Sequence, residues 1–544
     1  MELDIKTVVR SLLQDRGIET KEIEERSFPG ELWLVVFVDP SQLSLAQSVA
    51  GQVEQQLNSM RGSVAADTTV IAFRPTLEAV PPGHEPAKGR LFRQEIDQLI
   101  QLLEARSRTS DALPSLKYVE DPRASLSAVC ASRHHLVYGR RGVGKTALLL
   151  EAKRWATNHG YAAAWLNAHT FRNLDAPTAA ASVIDGLLVA VIQAGGTSTA
   201  SQFKQLSKIR KDLAKYRNKP VLATTIDFMI AELNIALRNV LREDLMRLYV
   251  FIDDFYLFPI ERQPQLLDSL SGVLRDANGW LKIASIERLT RPYEPSSKLG
   301  LELPHDASRI DLDVTLEDPA AAQKFLEHVL SNYLQAAGIK TATSVAKREA
   351  FGRLVLASGG VPRDYLNLLA GSIVVARSAR PLPREVGRED VARAAGSAAQ
   401  SKKKDLEQDV SSQTSATLLR ALDEISTFVR SEGYAFFRVD AAQSKLSGYE
   451  TLAQLVDLRF MHLVQLRLSD QHKPGAKYES YVLDLSEYSS ARLKRNLHVL
   501  DLKNGQWTLR QTGNARSEAI LKGTQLRDRL REAPLVDLQR LGLS

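Results

Sequence analysis

Between residues 136 and 152 the chain reads LVYGRRGVGKTALLLEA: an apolar strand, a glycine-punctuated turn and the start of an apolar helix. A strand that passes straight into a helix cannot return as a hairpin. The next strand therefore comes back parallel, with the helix lying on one face of the sheet. The same alternation recurs between residues 115 and 312, where HHLVYG, AAAWLNA, RLYVFIDD, LKIASI and RIDLDV are short apolar runs separated by helical stretches. Such a pattern predicts an α/β domain on a parallel sheet with helices on both faces.

The turn itself, Gly139-Arg-Arg-Gly142-Val-Gly144-Lys145-Thr146, fills every fixed position of the phosphate-loop pattern. Glycines let successive backbone N–H groups converge on phosphate oxygens, Lys145 neutralises the outer phosphates, and the Thr146 hydroxyl is placed to ligate Mg²⁺. A second acidic site is needed for metal and water, and RLYVFIDD ends in Asp253-Asp254 at the carboxyl edge of its strand. Ligands of open α/β sheets lie at that edge. Asp253 is the candidate to hold Mg²⁺ through water, and Asp254 to orient an attacking water. Asp254 is shorter than a glutamate by one methylene, about 1.5 Å of reach, which points toward slow or assembly-dependent hydrolysis.

A chain of 544 residues is too long for one core. Residues 1–75 read as a small α/β module with 7 Lys/Arg against 11 Asp/Glu, although the whole chain carries +7. Residues 76–114 form a Pro/Gly-rich linker and a bridging helix. The P-loop core follows over 115–312. Its Lys145 and Asp253 lie 108 positions apart, more than a compact core needs, so a helical insertion is expected at about 175–240. An alanine-rich helical lid spans 313–395, and the polar SAAQSKKKDLEQDVSSQTSA suggests a linker over 396–416. Residues 417–544 read as a winged-helix-like domain with an Asn504-Gly505 hairpin turn. Cys130 is the single cysteine, so no internal disulfide or multi-cysteine metal site forms. No run approaches the length of a spanning segment and no signal peptide opens the chain, which suggests a cytoplasmic protein without membrane contact. The ten histidines form no spaced metal cluster, and neither a GxSxG elbow nor a zinc-protease helix occurs.

With the phosphate loop, the IDD strand, LKIASIERLT and GGVPRDYLNLLA in order, residues 115–395 resemble an AAA+ ATPase, nearest to origin-recognition-complex-like initiators. They also resemble the signalling STAND ATPases, which share the paired aspartate and a Gly-x-Pro in the lid. The resemblance implies ATP and Mg²⁺ as ligands and an oligomeric assembly. It implies catalytic roles for Lys145 and Asp254, a strand-end polar sensor at Ser285, and a lid arginine at Arg363 that contacts nucleotide. It further implies an arginine finger at Arg309, with Arg288 and Arg291 as competitors; a surface salt bridge is the plainer reading of Arg309.

Partners are less sharply marked. Lys204, Lys208, Lys211 and Lys215 form one stripe of a helix that could track DNA phosphates or simply face solvent. In the tail, Lys473 and Lys477 sit on a candidate wing. The candidate recognition helix YETLAQLVDLRF sets Glu450 and Asp457 against Arg459, a poor surface for a major groove. Two readings follow: an ATPase acting on DNA or a DNA-associated partner, or a nucleotide-gated scaffold that recruits an effector through residues 1–75, for example in bacterial antiviral defence.

Overall fold

The computed structural model describes residues 5–28, 31–39, 42–61, 68–75, 89–105, 118–195, 201–214, 221–243, 246–409, 412–470, 475–489, 497–511 and 519–539. The chain divides into two units, one of residues 1–87 with 110–114 and one of residues 88–109 with 115–544. The first unit runs α1 (Ile5–Gln14), β1 (Thr20–Phe28), β2 (Glu31–Val38), α2 (Leu43–Arg61) and β3 (Thr68–Pro75). β2 pairs antiparallel with β1 and parallel with β3. Val9, Leu13, Leu34, Val36, Val53 and Leu57 fill its core. The sequence reading has no strand at β1. Among TKEIEERSF only Ile23 supplies a buried aliphatic, because an edge strand keeps charged side chains on its open face.

The second unit opens with α3 (Gln94–Ala105) and α4 (Ser125–Val129). Its sheet has the order β10-β4-β7-β6-β5, with all pairings parallel. β4 (His134–Tyr138) leads into α5 (Lys145–Asn158) and β5 (Ala162–Asn167). Three helices come next, α6 (Ala176–Ala194), α7 (Ser201–Ala214) and α8 (Ala223–Glu243), in the place of the expected insertion. β6 (Leu248–Asp253), α9 (Gln263–Leu274), β7 (Gly279–Ser285), the two-residue pair β8 (Tyr293–Glu294) and β9 (Leu299–Gly300), and β10 (Ala307–Asp311) complete the core. Every residue of β6 is buried, as a central parallel strand demands. Contrary to the reading of the sequence, α6 is long and apolar enough to cross a membrane. It serves as a core helix, with Ala179, Val183, Ile184, Leu187 and Val191 buried. On α7, Phe203, Leu206, Ile209 and Leu213 are buried while Lys204, Lys208 and Lys211 are exposed, so the two stripes separate as expected. Lys215 lies outside the described residues. The histidine doublet is structural: His134 accepts from Leu281 N–H at 2.9 Å, and His135 Nδ1 accepts from the buried Lys282 ammonium at 2.9 Å, tying β4 to β7.

The lid and tail are not two bodies joined by a linker. The lid comprises α10 (Pro319–Ala336), α11 (Arg348–Ser358), α12 (Pro362–Ala379) and α13 (Arg388–Asp409). α13 therefore runs through much of the segment read as a linker over 396–416, and α14 (Ser412–Ser431) takes up its end, with residues 410–411 outside the described residues. Of the α13 lysines, Lys402 and Lys403 are half-buried and pair with Asp364 and Glu487, so the polar composition goes with ion pairs rather than loss of structure. The tail continues with β11 (Phe436–Asp440), α15 (Ser447–Asp457), β12 (Met461–Ser469), β13 (Lys477–Leu483), α16 (Ser486–Ser489), β14 (His498–Lys503), β15 (Gln506–Gln511), β16 (Ala519–Ile520), α17 (Gly523–Glu532) and β17 (Leu535–Val536). Its sheets have the orders β12-β13-β11-β17 and β14-β15-β16. Asn504 and Gly505, both at positive φ, make the expected two-residue turn between β14 and β15.

One hydrophobic core runs from Leu91 and Leu99 through Leu354, Tyr365 and Leu369 to Phe437, Leu483 and Leu538. α11 lies so close to β14 that a Cβ at Gly352 would strike the Leu502 carbonyl. Across this seam the buried Asp501 carboxylate accepts from Arg353 at 2.9 Å and Arg388 at 2.7 Å, and the two guanidinium groups hold its pKa below the usual carboxylate value against the effect of burial. Removing the one anion leaves two cations facing each other at the seam. Asp501→Ala is expected to cost about 3–5 kcal/mol, read as a lower urea midpoint for lid and tail together in a single transition.

Candidate nucleotide site

The phosphate loop joins β4 to α5. Gly142 and Gly144 have φ of 88° and 108°, values that only glycine adopts without strain, so the backbone turns tightly enough to bring its N–H groups inward. Lys145 is buried at the start of α5, and its Nζ donates to the carbonyls of Gly139 (2.6 Å) and Arg140 (3.0 Å). Burial pulls its pKa down to about 8, opposed by Asp313, Asp254 and Asp253.

Asp253 ends β6, and the Thr146 side chain is among the groups that act on its carboxyl, so loop and acidic strand approach each other. Burial, and then the neighbouring Asp254, push the Asp253 carboxyl up to about 6, against the effect of Thr146. A hydroxyl and a carboxylate side by side are hard oxygen donors of the kind Mg²⁺ prefers, so these residues fit the metal that the loop implies. Asp254 sits in the left-handed region at φ 53°, and its N–H donates to Asp253 Oδ1 at 3.0 Å. Its Oδ2 faces Asn167 Nδ2 at 3.5 Å. Asn167 ends β5 in register with Asp253 and was not singled out from sequence; the only trace it leaves there is a polar residue closing an apolar strand.

The remaining candidates divide. Arg363, in the first turn of α12, lies on the loop: its N–H reaches the Gly142 carbonyl at 3.3 Å, and a Cβ at Gly142 would come within 2.9 Å of Arg363 Cβ. Its side chain is exposed. Ser285 ends β7 beside Tyr138, but it is fully buried and its hydroxyl shares a 2.5 Å hydrogen bond with Thr290. Arg309 pairs with Glu287 and with Asp311 and stacks over Tyr138, which is the surface salt-bridge arrangement within this chain. Arg291 pairs with Glu294. Arg288 holds Glu450 at 3.1 Å and Asp457 at 2.9 Å, both on the tail helix α15.

Sequence reading missed the residues that frame the loop. The buried Arg140 donates from Nε to Asp313 Oδ1 (3.0 Å) and from Nη2 to the carbonyls of Val314 (3.2 Å) and Gly359 (3.1 Å). Asp313 also accepts from the Arg140 N–H at 3.0 Å. Loop, hinge and lid are thus held by one side chain at a position the loop pattern leaves open. Arg459, just beyond α15, donates to Asp364 Oδ1 at 2.8 Å and to the Arg141 carbonyl at 3.4 Å.

The raised Asp253 pKa has a definite sign. Between the ordinary carboxylate value of 3.8 and about 6 the native state binds the extra proton, so the Asp253 charge lowers stability as pH rises through that window. Asp253→Asn is expected to stabilise the ligand-free protein by about 2 kcal/mol at pH 8, with the gain fading toward pH 4 in thermal melts.

No protein-family model matches the sequence, and no curated protein matches it. Among solved structures, the Aeropyrum pernix Orc1 protein in complex with DNA is 16% identical, with 72% of this chain and 95% of that chain covered and a TM-score of 0.35. Cdc6p from Pyrobaculum aerophilum is 12% identical over 75% of this chain and 94% of that one, at a TM-score of 0.31. Domain III of the Thermotoga maritima replication initiation protein DnaA is 12% identical over 51% and 92%, at 0.28. In this chain's own geometry, the parallel sheet has its phosphate loop on the second strand of the order β10-β4-β7-β6-β5 and a helical lid against that loop.

Proposed function

We propose that this chain is a Mg-ATP-dependent ATPase of the AAA+, initiator-like kind that assembles into an oligomer and acts on DNA or a DNA-associated partner. The observation that carries the reading is that the phosphate loop turns at Gly142 and Gly144 into α5 with Lys145 buried, and that the aspartates ending β6, Asp253 and Asp254, act on the Lys145 charge. In this reading Thr146 and Asp253 hold Mg²⁺, which supplies charge neutralisation for the phosphates. Lys145 leaves the loop carbonyls for the outer phosphates. Asp254 orients water for in-line attack, and Arg363 contacts nucleotide from the lid. Adenine rather than guanine rests on the family resemblance. In an oligomer Arg309 would exchange Glu287 for a neighbour's nucleotide.

The tail supports a winged-helix reading: α14, β11, a short turn of helix over 441–445, α15, β12 and β13 follow in that order, with β13 between β12 and β11. Lys477 and Arg467 are exposed on its hairpin; Lys473 lies outside the described residues. With the exposed Lys204, Lys208 and Lys211 of α7, these are the cations available to DNA phosphates.

A second reading, a nucleotide-gated switch that recruits an effector through residues 1–75, is favoured by one set of contacts. Ser285 and Arg309 are both engaged by neighbours within the chain, and the Asp254 carboxylate faces Asn167. Steady-state ATP hydrolysis with and without duplex or single-stranded DNA, followed together with light scattering, separates the two. The ATPase reading expects turnover stimulated by DNA, reduced at least a hundredfold by Lys145→Ala and by Asp254→Ala, with nucleotide binding kept in the latter. Background turnover combined with ATP-driven assembly that only Lys145→Ala prevents would replace it with the switch.

A further inference from the structure

The phosphate-loop pattern leaves the positions between Gly139 and Gly144 open, and two of them carry arginine. The first, Arg140, is buried and spends its donors on Asp313 and on the carbonyls of Val314 and Gly359. The second, Arg141, is exposed, and its guanidinium carbon lies 5.4 Å from the centre of the Tyr256 ring.

Tyr256 belongs to the acidic side of the cleft. It follows Asp254 by two residues, and Asp254, at φ 53°, turns the chain off β6 into the short helical turn 255–257, where the Leu257 N–H returns to the Asp254 carbonyl at 3.0 Å. Burial, and then the Asp254 charge, raise the Tyr256 pKa, with the Arg141 charge opposing them. A side chain rooted in the phosphate loop thus reaches the residues that follow β6, beside the carboxylate assigned to the attacking water. Because the N–H groups of such a loop converge on phosphate oxygens, Arg141 starts out next to any phosphate bound there. Arg309, by contrast, must first leave Glu287 and Asp311. An exposed guanidinium on an aromatic face is held weakly compared with one forked onto a phosphate.

We infer that Arg141 is a catalytic residue acting on the nucleotide of its own chain: with the loop filled, its guanidinium leaves the Tyr256 ring and donates to the oxygens of the terminal phosphate. The inference rests on the ATPase reading and adds the source of the stabilising charge, a role that the family resemblance gives to an arginine reaching a neighbouring subunit. In the step itself the water oxygen bonds to the γ phosphorus while the bond from that phosphorus to the bridging oxygen breaks, its electron pair leaving with ADP. One water proton stays on the new phosphate and the other passes through the Asp254 carboxylate to solvent. Charge redistributes over the transferring and bridging oxygens, and a planar fork already in the site meets it without a second subunit.

The test uses the full chain in single-turnover hydrolysis of Mg-ATP, with titrations of ADP alone and of ADP with aluminium fluoride, a mimic of the phosphoryl group in transfer. Arg141→Ala is expected to slow hydrolysis about a thousandfold, to keep ADP affinity within about threefold, and to abolish the tighter binding that aluminium fluoride gives the wild type. Arg141→Lys keeps the charge without the fork and is expected to recover no more than about a tenth of the rate. Mixing Arg141→Ala chains with Lys145→Ala chains, whose Arg141 is intact, is expected to restore nothing, because the side chain serves its own chain. Restored turnover in that mixture, or hydrolysis by Arg141→Ala at the wild-type rate, overturns the inference and leaves the ATPase reading standing. An equal loss of affinity for ADP with and without aluminium fluoride marks a binding or structural role and overturns it too. Absence of hydrolysis by the wild type overturns the ATPase reading and the inference with it.

Discussion

The Arg140 guanidinium is the contact on which the rest of unit two depends. It is buried, and its donors end on Asp313, on the carbonyl of Val314 and on that of Gly359, so a single residue of the phosphate loop fixes both the exit from the sheet and the entrance to the lid. A guanidinium suits this place because its planar fork can serve three acceptors at once, which an ammonium on a flexible stem does less well. The phosphate-loop pattern leaves the position free, and this chain uses it to hold the lid close to the loop that the lid must report on.

Around that point the structure divides by the chemistry of its seams. Between lid and tail the seam is apolar and closely packed, with one buried carboxylate between two arginines. Between tail and core it is polar, with Arg288 on Glu450 and Asp457 and Arg459 on the Arg141 carbonyl. Apolar seams stabilise by area and resist sliding, whereas charged contacts near a solvated cleft contribute little net free energy and exchange partners readily.

The parts of this arrangement that were legible in the sequence are those with a local signature. The loop, the five core strands, the inserted helices and the Asn504-Gly505 turn follow from periodicity and glycine placement, and each is found where it was expected within a few residues. What was not legible depends on partners far along the chain. Strand β1 carries too many charges to announce itself, and α13 has the composition of a linker because its Lys402 and Lys403 pair with Asp364 and Glu487 elsewhere in the chain. Arg140, Asn167 and Arg459 gain their roles from contacts to residues 173, 87 and 95 positions away, which no window of sequence contains.

The common core of lid and tail sets a timetable for biosynthesis. Leu99 on α3 and Leu538 near the end of the chain belong to the same cluster. A ribosome adding 5–20 residues per second needs roughly 20–90 s to pass from one to the other. The phosphate-loop sheet has all five strands once Asp311 has emerged, and it can close long before Leu538 is made. For the remainder of synthesis the apolar faces of α3 and the lid helices wait without their cover, which makes the nascent lid the segment most exposed to holding chaperones and to aggregation.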